Sequence, residues 1–387
     1  MTTLASMPTL RDVVSVLDAL YDPRWADDWD AVGTVVGDPD TTVEKILFAV
    51  DPVQAVVDEA VAWGADLVVT HHPLYLRGVT SVSAATPKGR VVHDLITHGI
   101  ALHTCHTNAD SPPLGVSESM ALALDLVDVR PLEVDGDATD KWIVFVPNSD
   151  ADAVATAMHD AGAGVIGNYD RAVFTSAGTG SFRPLTGADP AIGKVGEVEH
   201  VDEIRLEMVG PPTSRERIRA AMLATHPYEE VAYDVIAAEP RPSTRGSGRI
   251  GTLSTDMTLA EFAQLVTDRL PGHHSAARVA GDLRSSVRTV AVCGGSGDFL
   301  LGAAQAAGAD VYVTSDLRHH PVSEHREHPD ACAVIDVPHW AAEWTWLPVA
   351  EAALAERLGD TVKTQVSTIV TDPWTSVVPS RGADAER

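Results

Sequence analysis

Cysteine is scarce in this 387-residue chain: Cys105, Cys293 and Cys332 lie far apart, and none forms a Cys-x-x-Cys pair. Such spacing excludes a thiolate-built metal knuckle and suits a reducing compartment, so a metal site would have to draw on histidine and carboxylate. Basic residues are also few, 28 Lys and Arg against 55 Asp and Glu, for a formal charge of -27. With no cluster of Lys and Arg a nucleic-acid backbone finds no footing, and a small acidic nucleotide would need a metal to supply positive charge. No apolar run approaches the ~18 residues of a membrane span, and the first residues lack a basic stretch followed by an apolar one, so the expectation is a cytoplasmic protein. The remaining composition, 45% hydrophobic and 21% charged, is that of a soluble globular chain with room for two or three full cores.

Against that background stands Asp66-Leu67-Val68-Val69-Thr70-His71-His72-Pro73-Leu74. A short apolar strand, Leu67 to Val69, runs into two adjacent histidines and is ended by Pro73. Within a strand neighbouring side chains diverge, but at a broken strand end both imidazoles can turn into one crevice. The plain alternative is a surface loop that carries two histidines. The order around this stretch bears on the choice. Thr9 to Asp12 has capping-box spacing and opens an amphipathic helix. Val43 to Val50 reads as a buried strand, Val53 to Trp63 as a helix stopped by Gly64, and Leu67 to Thr70 as the next strand. Strand, helix, strand implies an α/β architecture with a parallel sheet and a functional edge at the strands' carboxyl ends. A further helix, Val91 to His98, and a third strand from Gly99 to Thr104 then bring His106 and Asp110 to that same edge.

From about Asp137 the pattern changes. Lys141 to Pro147 is a strand, Ser149 with Asp152 has capping-box spacing before a helix through Met158, and Arg171 to Ser176 and Gly180 to Arg183 read as short strands. Glu203 to Val209 alternates, Thr213 with Glu216 caps a helix to Ala224, and Glu230 to Ala238 is a last strand. This order fits a ferredoxin-like inserted α+β domain. Pro240, Pro242, Gly246 and Gly248 mark a linker. Beyond it the first part repeats: Thr258 to Glu261 opens a helix as Thr9 to Asp12 does, and Val287 to Thr314 can be laid on Val43 to Thr70 without a gap. Ser315 and Asp316 then stand where His71 and His72 stand in the first half. Ala333 to Ile335 is a strand leading to Pro338, and His339 and Glu343 fall four apart on one helical face. An exposed helix face with a local hydrogen bond is the alternative; a ligand pair is favoured by the histidines and Asp110 already at hand.

Taken together, Val69 to Pro73, His106 to Asp110, Thr314 to Asp316 with His319-His320, and His339 with Glu343 resemble the Nif-three-like family of GTP cyclohydrolase I type 2 homologues, or dinuclear metal centre proteins. Trp29 to Gly33 and Thr225-His226-Pro227-Tyr228-Glu229-Glu230 are similar to segments of members with a PII/CutA-like insert. The resemblance implies a Nif-three-like core of duplicated α/β halves, residues 1–136 and 241–387, interrupted by a PII/CutA-like domain at 137–240. It implies two divalent cations (zinc, iron or manganese) held by His71, His72, Asp110, His339 and Glu343, and a ring-shaped homohexamer built as a trimer of dimers. Ala31, Ser315 and Trp340 depart from the family's usual residues, and Trp340 could reshape the pocket wall.

The chemistry so implied is hydrolysis of a nucleotide or related phosphorylated small molecule, in the GTP cyclohydrolase version by attack at purine C8 with release of formate. His106 and His320 are candidates for proton transfer or phosphate contact, or else orient a ligand. The alternative of another class is a non-catalytic metal-binding or regulatory scaffold with a ligand-sensing insert. Elsewhere, His273-His274 reads as an exposed loop, and His226, with Tyr228 and Glu229, as local structure or subunit contact, with ligand sensing the alternative. Trp340, Trp344 and Trp346 read as packing or as a base-stacking surface.

Overall fold

The computed structural model describes residues 7–135, 138–167, 169–239, 243–272 and 275–378. The expected loop pair His273-His274 and the linker residues Pro240 and Pro242 lie outside the described residues. In chain order the strands are β1 (Gly33–Val36), β2 (Lys45–Ala49), β3 (Leu67–Thr70), β4 (Ala101–Thr104), β5 (Val127–Val134), β6 (Thr139–Pro147), β7 (Phe174–Phe182), β8 (Glu199–Gly210), β9 (Tyr233–Ala238), β10 (Gly246–Thr258), β11 (Arg278–Ala280), β12 (Ser286–Ser296), β13 (Val311–Ser315), β14 (Ala333–Val337) and β15 (Lys363–Val366). Two compact units divide the chain, Met1–Asp135 with Thr244–Arg387, and Gly136–Ser243.

The first unit holds two sheets of mixed direction, ordered β1-β4-β3-β2-β15 and β11-β14-β13-β12-β10-β5. In each, three parallel strands (β2, β3, β4 and β12, β13, β14) end in an antiparallel edge strand, β1 or β11. The repeat read from the sequence reaches down to single hydrogen bonds. Thr9 and Thr258 each close a capping box, with Asp12 and Glu261, on helices Leu10–Leu20 and Leu259–Arg269. Asp66 Oδ2 accepts the N–H groups of Glu44 and Lys45 at 2.8 Å each, and Asp310 Oδ2 accepts those of Arg288 and Thr289 at 2.9 and 2.7 Å. Each aspartate thereby fixes the start of the neighbouring strand. Side chains then alternate as a pleat requires. Ile46, Phe48, Leu67 and Val69 share one core with Val290, Val292, Val311 and Val313, and with Trp346 and Leu354 of helix Trp346–Leu358. Leu47, Ala49 and Val68 face the other way, against Val56, Val57 and Leu95 of helices Gln54–Trp63 and Pro87–His98. Both faces of these strands are covered, as parallel sheets demand, and their carboxyl ends are left as the free edge.

Arg249, fully buried on β10, ties that edge down. Its guanidinium donates to the carbonyls of Ser111 and Pro112 at 2.9 and 2.8 Å, to Gly246 and Gly248, and to Glu118 at 3.1 Å. The chain just beyond Asp110 is therefore anchored by a group with all its donors committed. Gly246 and Gly248 belong to β10 rather than to a linker: Gly246 pairs with Val134 of β5.

In the second unit the sheet order is β7-β8-β6-β9, antiparallel between neighbours. Helices Ala151–Asp160 and Arg215–Thr225 cover one face, with Trp142, Val144, Val146, Leu206 and Met208 against Val154, Met158, Ile218 and Met222. Three readings of this segment need correction. The two short strands expected at 171–183 are one strand, β7, because pairing with β8 runs unbroken from Phe174 to Phe182 through Gly178 and Gly180. Neither expected capping box forms. Ser149 Oγ bonds the Asp150 carboxylate instead of the helix, and a 3-10 turn, Pro212–Ser214, shifts the second helix past Thr213.

Removing either repeat aspartate, by Asp66→Ala or Asp310→Ala, leaves two strand N–H groups without their charged acceptor. Each change should lower unfolding free energy by ~1–3 kcal/mol in urea titration.

Candidate metal centre

Three strand ends and one helix meet at a single point of the first unit. β3 delivers His71 and His72, β4 delivers His106 and the turn Thr107–Asp110, and β14 leads into helix His339–Trp344 with His339 and Glu343 one turn apart. Four imidazoles are held there by the same nitrogen. Nδ1 of His71 donates to the Cys105 carbonyl at 2.9 Å, that of His72 to Asp51 at 2.7 Å, that of His106 to Asp30 at 2.8 Å, and that of His339 to Asp316 at 2.7 Å. An oxygen that only accepts fixes Nδ1 as the donor, so each Nε2 is left to face the cluster, as metal-ligating histidines are oriented.

The ligand atoms fall into two groups that share His72: His71, His72 and His106, and His72, His339 and Glu343, each within 4.8 Å of one another. Glu343 Oε1 lies 2.7 Å from His339 Nε2 and 3.4 Å from His71 Nε2, and Asp110 Oδ1 lies 3.7 Å from His71 Nε2. The second oxygen, Oε2, is buried and has no hydrogen-bond donor committed to it, with His72 Nε2 3.0 Å away. An orphaned carboxylate oxygen among imidazole nitrogens is a donor set that borderline divalent cations accept.

Without a cation the cluster resolves its charge with protons. Burial opposes charging His72, but Glu343 and Asp51 outweigh it and hold the ring's pKa up at about 11. His339, likewise buried, is raised to about 10 by Glu343 and Asp316. For Glu343 burial is outweighed by His72, His339 and His71, which hold its carboxyl well below the usual range. Asp110 goes the other way, raised by burial and by Glu343 against the pull of the histidines.

The repeat explains why the centre is asymmetric. Asp51, which holds His72, has Gly295 as its equivalent in the second half. Gly295 has φ +70°, and a Cβ there would lie 2.7 Å from Glu343 Oε1 and 3.5 Å from His339 Nε2. The second half omits that side chain to make room for Glu343. The equivalent of His72 is Asp316, which orients His339 rather than joining the cluster.

His71, His72, His106, Asp110, His339 and Glu343 are thus brought together, whereas His320 is not. After β13 the chain reverses at Asp316 (φ 56°), and His320 lies exposed on helix His319–Arg326 against the ring of His319. His325 is buried with Nε2 on the Cys332 carbonyl. Trp340 and Trp346 are packed in the core, and Trp344 Nε1 donates to the Ser367 carbonyl. Sequence reading passed over Asp30, Asp51 and Asp316 as the groups that orient the rings. Asp51 stands two residues beyond the first parallel strand as His72 stands two beyond the second, and that shared position is the signal that points to it. A cleft of about 380 Å³ opens onto the cluster between Trp29 and Phe299, both largely exposed, with Ser117, Cys293 and Gly294 along its wall.

Two α/β repeats enclosing a histidine and carboxylate cluster define the class: a duplicated protein with a candidate metal centre between its halves. Residues 8–373 match the model of Duf34/NIF3 (NGG1p interacting factor 3), and the chain belongs to that family. A Mycobacterium tuberculosis protein called GTP cyclohydrolase 1 type 2 homolog is 48% identical over 367 residues, 94% of this chain and 96% of the relative. A Bacillus subtilis protein of the same name is 39% identical over 311 residues, 80% of this chain and 83% of its own length. Among solved structures, a Bacillus cereus protein related to NIF3 is similar with TM-score 0.66 and 34% identity, covering 96% of this chain and 100% of its own. Staphylococcus aureus protein SA1388 is similar with TM-score 0.73 and 26% identity over 96% and 99% of the two chains.

In metal-free protein, ring nitrogen NMR should find His72 and His339 protonated at pH 8, since both pKa values are raised above that point. In Glu343→Gln both should fall back toward 6.5, and rings neutral at pH 8 in the unmodified protein would contradict the geometry.

Proposed function

We propose that the cluster binds two divalent cations (zinc, iron or manganese) and that the protein is a metal-dependent hydrolase of a nucleotide or related phosphorylated small molecule. The carrying observation is that three Nε2 atoms, those of His71, His72 and His339, each with its Nδ1 already committed, lie within 3.4 Å of the buried Glu343 carboxylate, with His106 beside His71 and His72. His71, His72, Asp110, His339 and Glu343 would hold the cations, and His72 is the residue common to both ligand groups. Bound cations would supply Lewis acidity, clamp a phosphate or carbonyl oxygen, and lower the pKa of water at the site. His106, tied to Asp30 at Nδ1 and with Nε2 toward the cleft, holds or moves a proton there. Asp30 is kept ionised because the hydrogen bonds from His106 and Thr107 outweigh its burial, so it can stabilise His106 in either protonation state. Trp29 and Phe299 offer flat apolar walls for a substrate ring at the mouth. The open cleft favours this reading over a scaffold whose metals are closed in by protein ligands.

The name GTP cyclohydrolase 1 type 2 homolog, carried by the relatives, supports a nucleotide as the first substrate to try. The same reading takes the second unit as a ferredoxin-like, PII/CutA-like domain, supported by its strand order and helix pair, and the assembly as a homohexamer of the 41.0 kDa chain.

Protein loaded with each metal in turn and given a nucleotide panel should release phosphate or formate. If no nucleotide is turned over with any of the metals, and Asp110→Ala behaves the same, the hydrolase reading fails. Metal content tests the centre separately, and Asp110→Ala should lose at least one cation. Binding should release protons and tighten as pH rises, because His72 and His339 must give theirs up. Asp316→Ala should weaken metal binding about 10–100-fold by freeing the His339 ring.

A further inference from the structure

The motif His226-Pro227-Tyr228-Glu229-Glu230 takes no part in the metal centre, and it forms one wall of a cavity of about 520 Å³ inside the second unit. That volume is typical of a small-molecule site. His226 holds the motif in place: Nε2 donates to the Phe145 carbonyl at 3.0 Å, and Nδ1 accepts the Tyr228 N–H at 3.1 Å. With both ring nitrogens committed to backbone and burial lowering its pKa, His226 is a neutral structural pin. It aims Tyr228 across the cavity, where the hydroxyl donates to Glu203 Oε1 at 3.0 Å. Tyr228 keeps its proton, because burial and Glu203 both raise its pKa. The carboxylate lies over the backbone of Gly180, where a Cβ would stand 2.1 Å from Glu203 Oε2, so any side chain there would displace it.

Three aromatic rings, Phe145, Phe182 and Tyr228, line this space, with Phe182 and Tyr228 edge to face at 5.7 Å. Three carboxylates line it as well, those of Glu203, Glu229 and Glu230, against the single cation of Arg183. Glu229 accepts the Asp189 N–H, which joins the motif to the loop carrying Ala188 and Ile192. Among the described residues these carboxylates do not converge into a metal-ligand group. Ring faces attract a weakly hydrated organic cation and do little for a hydrated metal ion.

We propose that this cavity is a binding site for a small organic cation, an amine or quaternary ammonium compound, whose charge pairs with Glu203 and whose body lies against Phe145, Phe182 and Tyr228. The site is contained in the second unit and is independent of the metal-centre reading.

The test is calorimetric titration of the full-length protein with choline, phenethylamine and agmatine. Magnesium and manganese chloride, and 3,3-dimethyl-1-butanol as the uncharged isostere of choline, complete the panel. At least one organic cation should bind with a dissociation constant in the millimolar range or below. Glu203→Gln, which can still accept from Tyr228, should weaken it about tenfold or more. Ile192→Trp, which fills the cavity from the loop and leaves the carboxylates intact, should abolish binding, and Asp110→Ala should bind as the unmodified protein does. Matching circular dichroism and melting temperature identify the variants that have folded. The proposal is overturned if no organic cation binds, if the uncharged isostere binds as well as choline, if folded Glu203→Gln binds unchanged, or if only the metal ions compete for the site.

Discussion

A carboxylate buried where three imidazoles face it is the constraint on which the first unit depends. Glu343 is 3% exposed, and an isolated charge so enclosed would cost several kcal/mol. Only positive charge beside it, from protons on His72 and His339 or from a cation, makes that burial tolerable. The surrounding fold serves this requirement. Strand ends must stop in register to present the rings, and Asp66 and Asp310 fix the strand starts from which that register is counted. Asp110 must stay on the same edge, and the fully buried Arg249 holds the chain immediately after it.

Duplication supplied two equivalent strand-end sites, and divergence made them unlike. In the first half a histidine pair enters the cluster, with Asp51 behind His72. In the second the corresponding positions are Asp316, which supports His339, and Gly295, which yields its space to Glu343. One half therefore contributes most of the imidazoles and the other the buried carboxylate. The cluster exists only while the shared core, from Leu10 and Phe48 across to Phe262 and Trp346, keeps the halves together.

Much of this was legible in the sequence because it is local or periodic. The His71-His72-Pro73 strand end, the His339 to Glu343 spacing and the gapless overlay of Val287–Thr314 on Val43–Thr70 need no knowledge of distant contacts. The orienting aspartates were not legible: Asp30 is brought to His106 by tertiary packing, and in a chain with 55 acidic residues nothing local sets it apart. His320 misled because a histidine pair after a strand looks like His71-His72, yet the turn at Asp316 sends it outward. Ser149 and Thr213 misled in a similar way, since their spacing fits a cap but a neighbouring carboxylate or turn claims the same groups.

The second unit leaves and rejoins the first at one place, where the Asp135 N–H bonds the Arg245 carbonyl and Val134 pairs with Gly246. Covalently, then, the whole segment is an enlarged hairpin loop between β5 and β10. A short turn would satisfy the same two strand ends, and no strand of the repeats would need to change its partner. The junction acts as a port: what is plugged into it can be lengthened, exchanged or dropped over evolutionary time while the buried cluster keeps its wiring. Whatever such a cartridge carries, the strand pairings that hold the buried cluster are left as they are.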